Sequence, residues 1–182
     1  MGRAYLLTGR PGVGKTTCLR KALDRIRLPA GGFLTEEIRE GGKRVGFALV
    51  TLDGQREILA HASRRGQPRL GKYGVNPDAL TRVGVPAIRD AARQGRLVVI
   101  DEIGKMEMTA PTFRDAVEEV LRGPAVVVGT ILTVSHPWAD RLKVSPAVRL
   151  FEVTPANRDA LVERLAEILA SPPGRDPSPP PI

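Results

Sequence analysis

Eight residues near the amino terminus, Gly9-Arg10-Pro11-Gly12-Val13-Gly14-Lys15-Thr16, have the spacing G-x-x-x-x-G-K-[ST]. Glycines at these positions let backbone N–H groups turn inward around an anion, because no Cβ blocks the approach. The apolar run Tyr5-Leu6-Leu7 precedes them, and Thr17 to Leu23 follows with helical character. In a strand, loop and helix of this kind the positive end of the helix dipole faces a phosphate. Lys15 would reach the β- and γ-phosphates as a catalytic cation, and the Thr16 hydroxyl would ligate Mg²⁺. Gly9 to Thr17 are therefore candidate nucleotide-binding residues.

A second run, Leu97-Val98-Val99-Ile100-Asp101-Glu102, is apolar until it closes in two acids. Such a run reads as a strand buried on both faces of a parallel sheet. Asp101 falls at its carboxyl end, the edge where open α/β sheets bind ligands, and is the candidate second metal ligand beside Thr16. Glu102 adds a base suited to activating water, which favours hydrolysis over transfer to another acceptor. Mg²⁺ is the expected cofactor.

Around these motifs, 182 residues suffice for one domain with a full core, expected over residues 1–170. The segment 171–182 is proline-rich and reads as a solvated tail. No secretory or membrane-spanning stretch is evident, and the single Cys18 suits a reducing compartment, so a cytoplasmic protein is expected. Cys18, early in the first helix, reads as a packed thiol. A net charge of +8 is compatible with nucleic acid, but aromatics are only 4% and the basic residues are dispersed, which weighs against that partner. A basic surface that attracts nucleoside triphosphates explains the charge equally well.

Strands are expected at Phe33–Arg39, Arg44–Leu52 and Glu57–Ala60, joined by glycine turns into an antiparallel meander. Further strands are expected at 125–130 and 149–153. Helices are expected over about 15–28, from Asn76 with an interruption at Gly84-Val85-Pro86, over 111–121, and after Thr154-Pro155. Phe113, Val117, Val120 and Leu121 have core spacing.

With these motifs in place, the chain resembles the small nucleoside-triphosphatase family of bacteria and archaea, to which a vertebrate cancer-related nucleoside-triphosphatase belongs. The resemblance rests on the Gly9–Thr17 loop, Gly32-Phe33, Thr35-Glu36-Glu37 with Arg39, Arg44-Val45-Gly46-Phe47 and Gly71-Lys72-Tyr73-Gly74-Val75. It rests also on Asp101-Glu102-Ile103-Gly104-Lys105-Met106-Glu107 and His136-Pro137. It implies an α/β fold of three layers, a P-loop nucleoside-triphosphatase with a RecA-like, mostly parallel sheet and added antiparallel strands. It implies slow hydrolysis of ATP, GTP, CTP, UTP and TTP with little base preference. It maps the nucleotide site to Gly9–Thr16 and to Val98, Val99, Ile100, Asp101, Glu102, Ile103, Gly104 and Lys105. The run Thr130-Ile131-Leu132-Thr133-Val134-Ser135 departs from the Thr-Val-His expected there.

Four further expectations concern single residues. The resemblance places the strand carrying Thr130 between the loop strand and the Asp101 strand, which makes Thr130 a γ-phosphate sensor. Arg39 and Arg44 are candidates for an arginine finger in cis. Asn157 and Arg158 follow the last strand, where the base would lie. Glu102 is favoured over Glu107 as the general base because the strand fixes it. A nucleotide or small-molecule kinase and a nucleotide-switched RNA-associated protein are the alternatives, and a monomer is expected.

Overall fold

Runs of β-branched residues form the centre of a nine-stranded sheet in this computed structural model, which describes residues 3–171. The strands are β1 (Arg3–Thr8), β2 (Ala30–Glu40), β3 (Lys43–Thr51), β4 (Arg56–His61), β5 (Arg69–Leu70), β6 (Tyr73–Val75), β7 (Leu97–Ile103), β8 (Val126–Ile131) and β9 (Val148–Glu152). Their order is β5-β6-β4-β3-β2-β7-β8-β1-β9. From β2 to β9 every pairing is parallel; from β2 to β5 every pairing is antiparallel. β8 lies between β1 and β7, as expected for the strand that carries Thr130.

Helices α1 (Lys15–Arg25), α2 (Pro77–Ala79), α3 (Val85–Arg93), α4 (Pro111–Arg122), α5 (Pro137–Lys143) and α6 (Arg158–Ala170) cover the two faces. One core joins Ile88 of α3, Phe113 of α4 and Trp138 of α5 to Phe33, Ile100 and Ile131 of the sheet. The other joins Leu19 of α1 and Leu165 of α6 to Leu7, Val99 and Val128. Helices, sheet and helices make the three layers anticipated from the sequence. The expected core stripe of α4 is buried, and Cys18 is a packed thiol whose pKa burial pushes up.

Several local expectations are corrected. The first strand of the meander begins earlier than Phe33: residues 30–33 of β2 pair in parallel with β7, and residues 33–40 pair antiparallel with β3. β5 and β6 were not anticipated, because two and three residues are too few to show periodicity. α5 was missed for the same reason; His136 caps it, its Nδ1 accepting from Trp138 N at 3.3 Å. Asn76 does not cap a helix, since its amide donates to the Ile58 carbonyl at 3.1 Å and accepts from Arg64 at 3.3 Å. Gly84-Val85-Pro86 does not interrupt the helix; a π-helical segment, Leu80–Gly84, carries it into α3. α1 ends at Arg25 rather than at residue 28, and α6 starts at Arg158 after a turn at 154–157. All of the expected tail except Ser171 lies outside the described residues. No helix among the described residues is long and apolar enough to cross a membrane.

Gly32 decides where β2 meets β7. Its φ is +106°, and a Cβ there would lie 2.0 Å from the Val99 carbonyl oxygen. Gly32→Ala is expected to lower stability by roughly 3 kcal/mol or more, read as a shifted denaturant midpoint. An unchanged midpoint would mean that this pairing contributes nothing.

Candidate nucleotide site

Strand β7 is buried except at Glu102 and holds Asp101 near its carboxyl end with no exposed surface. A carboxylate there needs donors, and three threonine hydroxyls supply them. Thr130 of β8 donates to Asp101 Oδ1 at 2.6 Å and Thr16 of α1 to the same atom at 3.1 Å. Thr35 of β2 donates to Oδ2 at 3.4 Å. Burial pushes the Asp101 carboxyl up, a rise that the Thr130 and Thr16 hydroxyls and the Thr35 backbone N–H oppose without cancelling. The Thr16 hydroxyl and the Asp101 carboxylate are adjacent hard oxygen donors, a pair that fits Mg²⁺.

The phosphate loop hangs beside this pair. Gly9, Gly12 and Gly14 take φ values of +147°, +77° and +104°, which only glycine accepts readily. Lys15 Nζ donates to the Gly9 carbonyl at 3.1 Å and lies 3.6 Å from Glu102 Oε1. The Thr133 hydroxyl holds the same Gly9 from the other side, donating to its carbonyl at 2.5 Å and accepting from its N–H at 2.9 Å.

Gly9, Pro11, Gly12, Gly14, Lys15, Thr16 and Thr17 line one cleft of about 800 Å³, together with Glu102, Gly104, Lys105 and Glu107. Arg10 and Val13 do not line it; Val13 packs against the core instead. Val98, Val99, Ile100 and Ile103 are core side chains, so their part in the site is to carry Asp101 and Glu102.

The two acids beside Gly104 differ sharply. Glu102 keeps 34% of its side-chain surface and faces Lys15. Burial raises its pKa, and the Lys15 charge opposes that rise. Glu107 is 4% exposed, and burial, reinforced by the charge of Glu102, pushes its pKa up to about 8. A Cβ on Gly104 would stand 2.8 Å from Glu107 Oε2 and 3.3 Å from Glu102 Oε2, so a side chain there would press on both carboxyls.

Three sequence expectations change here. Thr130 is fully buried with its hydroxyl on Asp101, so in this structure it positions that carboxylate and does not line the cleft. Asn157 engages its amide on the backbone, accepting from Thr154 N and donating to the Glu152 carbonyl, both at 2.8 Å, and does not line the cleft. Arg39 lies on Glu37 outside the cleft, whereas Arg44 lines the cleft while bonded to Glu37 and the Tyr73 hydroxyl. Arg158 is exposed, its guanidinium 4.0 Å from where a Gly14 side chain would begin.

Among residues the chemical reading missed, Thr35 carries Asp101, and Arg20 donates to Glu36 at 3.1 Å across the cleft. Thr35 and Glu36 stood within a quoted motif. Thr133 stood within the run noted as departing from expectation.

Comparison with known proteins settles the family. The profile of the family described as NTPase matches residues 4–166. The chain belongs to this nucleoside-triphosphatase family. The nucleoside-triphosphatase THEP1 of Thermotoga petrophila is 45% identical over 164 residues, which cover 90% of this chain and 91% of that protein. A mouse cancer-related nucleoside-triphosphatase homologue is 38% identical over 187 residues, covering 94% and 98% of the two chains. Among solved structures, crystalline THEP1 from Aquifex aeolicus superposes with a TM-score of 0.83 at 35% identity, covering 94% of this chain and 100% of that one. The solution structure of a human cancer-related nucleoside triphosphatase gives 0.79 at 36%, covering 96% and 100%. The chain is accordingly a nucleoside-triphosphatase.

The shifted acid gives a measurable pH dependence. A carboxyl whose pKa rises from 4.5 to about 8 on folding takes up a proton between those values. Its stabilising contribution is complete below pH 4.5 and is lost as the pH rises through 8. Glu107→Gln stays neutral, so its Tm relative to the parent chain is expected to rise by a few degrees between pH 5 and pH 9. A difference independent of pH would contradict the assignment.

Proposed function

We propose that the chain hydrolyses nucleoside 5′-triphosphates to diphosphate and phosphate in a Mg²⁺-dependent reaction, with broad tolerance among ATP, GTP, CTP, UTP and TTP, in the cytoplasm. The observation that carries this reading is the division of labour between two adjacent acids. Asp101 is buried on three threonine hydroxyls, one of them Thr16, while Glu102 stands in the cleft opposite Lys15.

The loop N–H groups and Lys15 bind and neutralise the β- and γ-phosphates. Thr16 and Asp101 would hold Mg²⁺, which supplies charge neutralisation on the phosphate oxygens. Glu102 is the base that orients water and takes its proton. Thr130 and Thr35 keep Asp101 in register. Base tolerance follows from how little the site offers to read a base edge: the amide of Asn157 is already committed to backbone partners.

Lys15→Ala is expected to abolish tight binding of a fluorescent triphosphate with Mg²⁺, since the loop has no other cation inside the cleft. Unaltered affinity would contradict the phosphate site. Glu102→Gln keeps size and hydrogen bonding, so binding should survive while phosphate release falls by roughly 10²–10⁴ across the nucleotide panel. Full activity in that variant, with Glu107→Gln inactive, would exchange the two roles.

A further inference from the structure

The cleft is larger than a triphosphate chain requires. On the side of β7 away from β1 its lining continues as a chamber formed by Phe47 of β3, Leu59 of β4, Leu70 of β5 and Met106, with Arg44 and Glu37. None of the residues after β9, where the sequence placed the base, lines it. A phosphate loop has a fixed polarity: Lys15 and the base mark the γ-phosphate end, and the nucleoside leaves from the other. The chamber therefore adjoins the γ-phosphate position, on the side from which an acceptor attacks.

Its walls are unsuited to water alone. Leu59 is wholly buried, and Phe47 packs edge-on against Tyr73 with ring centroids 5.4 Å apart. Arg44 lies 5.0 Å from the centroid of the Phe47 ring. The floor is held by Met106, which packs against both the main core and the small cluster of Ala60, Tyr73 and Val75. All of these except Met106 come from β3, β4 and β6, none of which supplies a hydroxyl to Asp101. Apolar walls with a few convergent polar groups mark a site for an organic body. The Arg44 guanidinium, held by Glu37 at 2.9 Å and by the Tyr73 hydroxyl at 3.1 Å, sets a fixed planar cation beside an aromatic face. That combination suits a flat ring with apolar faces and a hydrogen-bonding edge.

We propose that this chamber binds a nucleoside as a second substrate, and that its primary hydroxyl replaces water as acceptor of the γ-phosphoryl group. The inference rests on the catalytic site assigned above. The hydroxyl oxygen forms a bond to the γ-phosphorus, and the bond from that phosphorus to the β–γ bridging oxygen breaks. The diphosphate leaves with the electron pair, the hydroxyl proton passes to the Glu102 carboxylate, and the product is a nucleoside monophosphate. Hydrolysis is then the same transfer with water in the chamber.

The test is phosphorus NMR of the full chain with Mg²⁺-ATP and, in turn, adenosine, guanosine, cytidine, uridine and thymidine. A nucleoside monophosphate signal is expected with at least one of them, while free phosphate falls. Phe47→Ala and Leu70→Trp, the second filling the chamber from its rim, are each expected to lower the ratio of transfer to hydrolysis by roughly tenfold or more. Phosphate release with monophosphate below about one turnover in a hundred for every nucleoside would overturn the acceptor site and leave hydrolysis standing. No phosphate release at all would overturn the hydrolytic reading as well. Monophosphate formed at an unaltered ratio in both variants would overturn the chamber as its place.

Discussion

The constraint on which the site depends is a carboxylate placed where water cannot reach it. Asp101 lies near the carboxyl end of a strand buried on both faces, and such a group is tolerated only if its oxygens are met by donors. Thr16, Thr35 and Thr130 meet them from three different elements. Their arrangement ties the helix after the phosphate loop, the first strand of the antiparallel extension and the neighbouring parallel strand to one point. Any change that moves one of those elements alters the Thr16–Asp101 pair proposed to hold Mg²⁺.

The antiparallel extension is organised differently. Its surface carries Glu36 between Arg20 and Arg56, and Glu37 between Arg39 and Arg44. Exposed pairs of this kind contribute little stability individually, but a network orders long side chains across the cleft mouth. The arginines hold both glutamates below the ordinary carboxylate range. Arg44 is thereby held against Phe47 and Tyr73, where it shapes the cleft instead of pointing toward a phosphate.

Much of this was legible in the sequence because it depends on local rules. The loop spacing, the apolar run closing in Asp101, the core stripe of α4 and the two glycine turns of the meander each read from a few consecutive residues. What escaped depends on distant partners. Thr130 was a good candidate for contact with phosphate until the buried Asp101 claimed its hydroxyl. Asn157 was a good candidate for a base contact until the turn at 154–157 claimed its amide. β5, β6 and α5 are too short to carry a period. The apolar chamber draws on three strands and one loop, none of which marks it alone.

The central claim is that Glu102, not Asp101, faces the reacting phosphate, and that its contact with Lys15 gives way to substrate. A crystal structure with Mg²⁺ and a non-hydrolysable triphosphate tests it most directly. The account requires Lys15 Nζ on the β- and γ-phosphate oxygens and the Glu102 carboxylate on a water beside the γ-phosphorus. It also requires Asp101 still bonded to Thr130. Lys15 remaining 3.6 Å from Glu102, with the phosphates bound elsewhere, would contradict it.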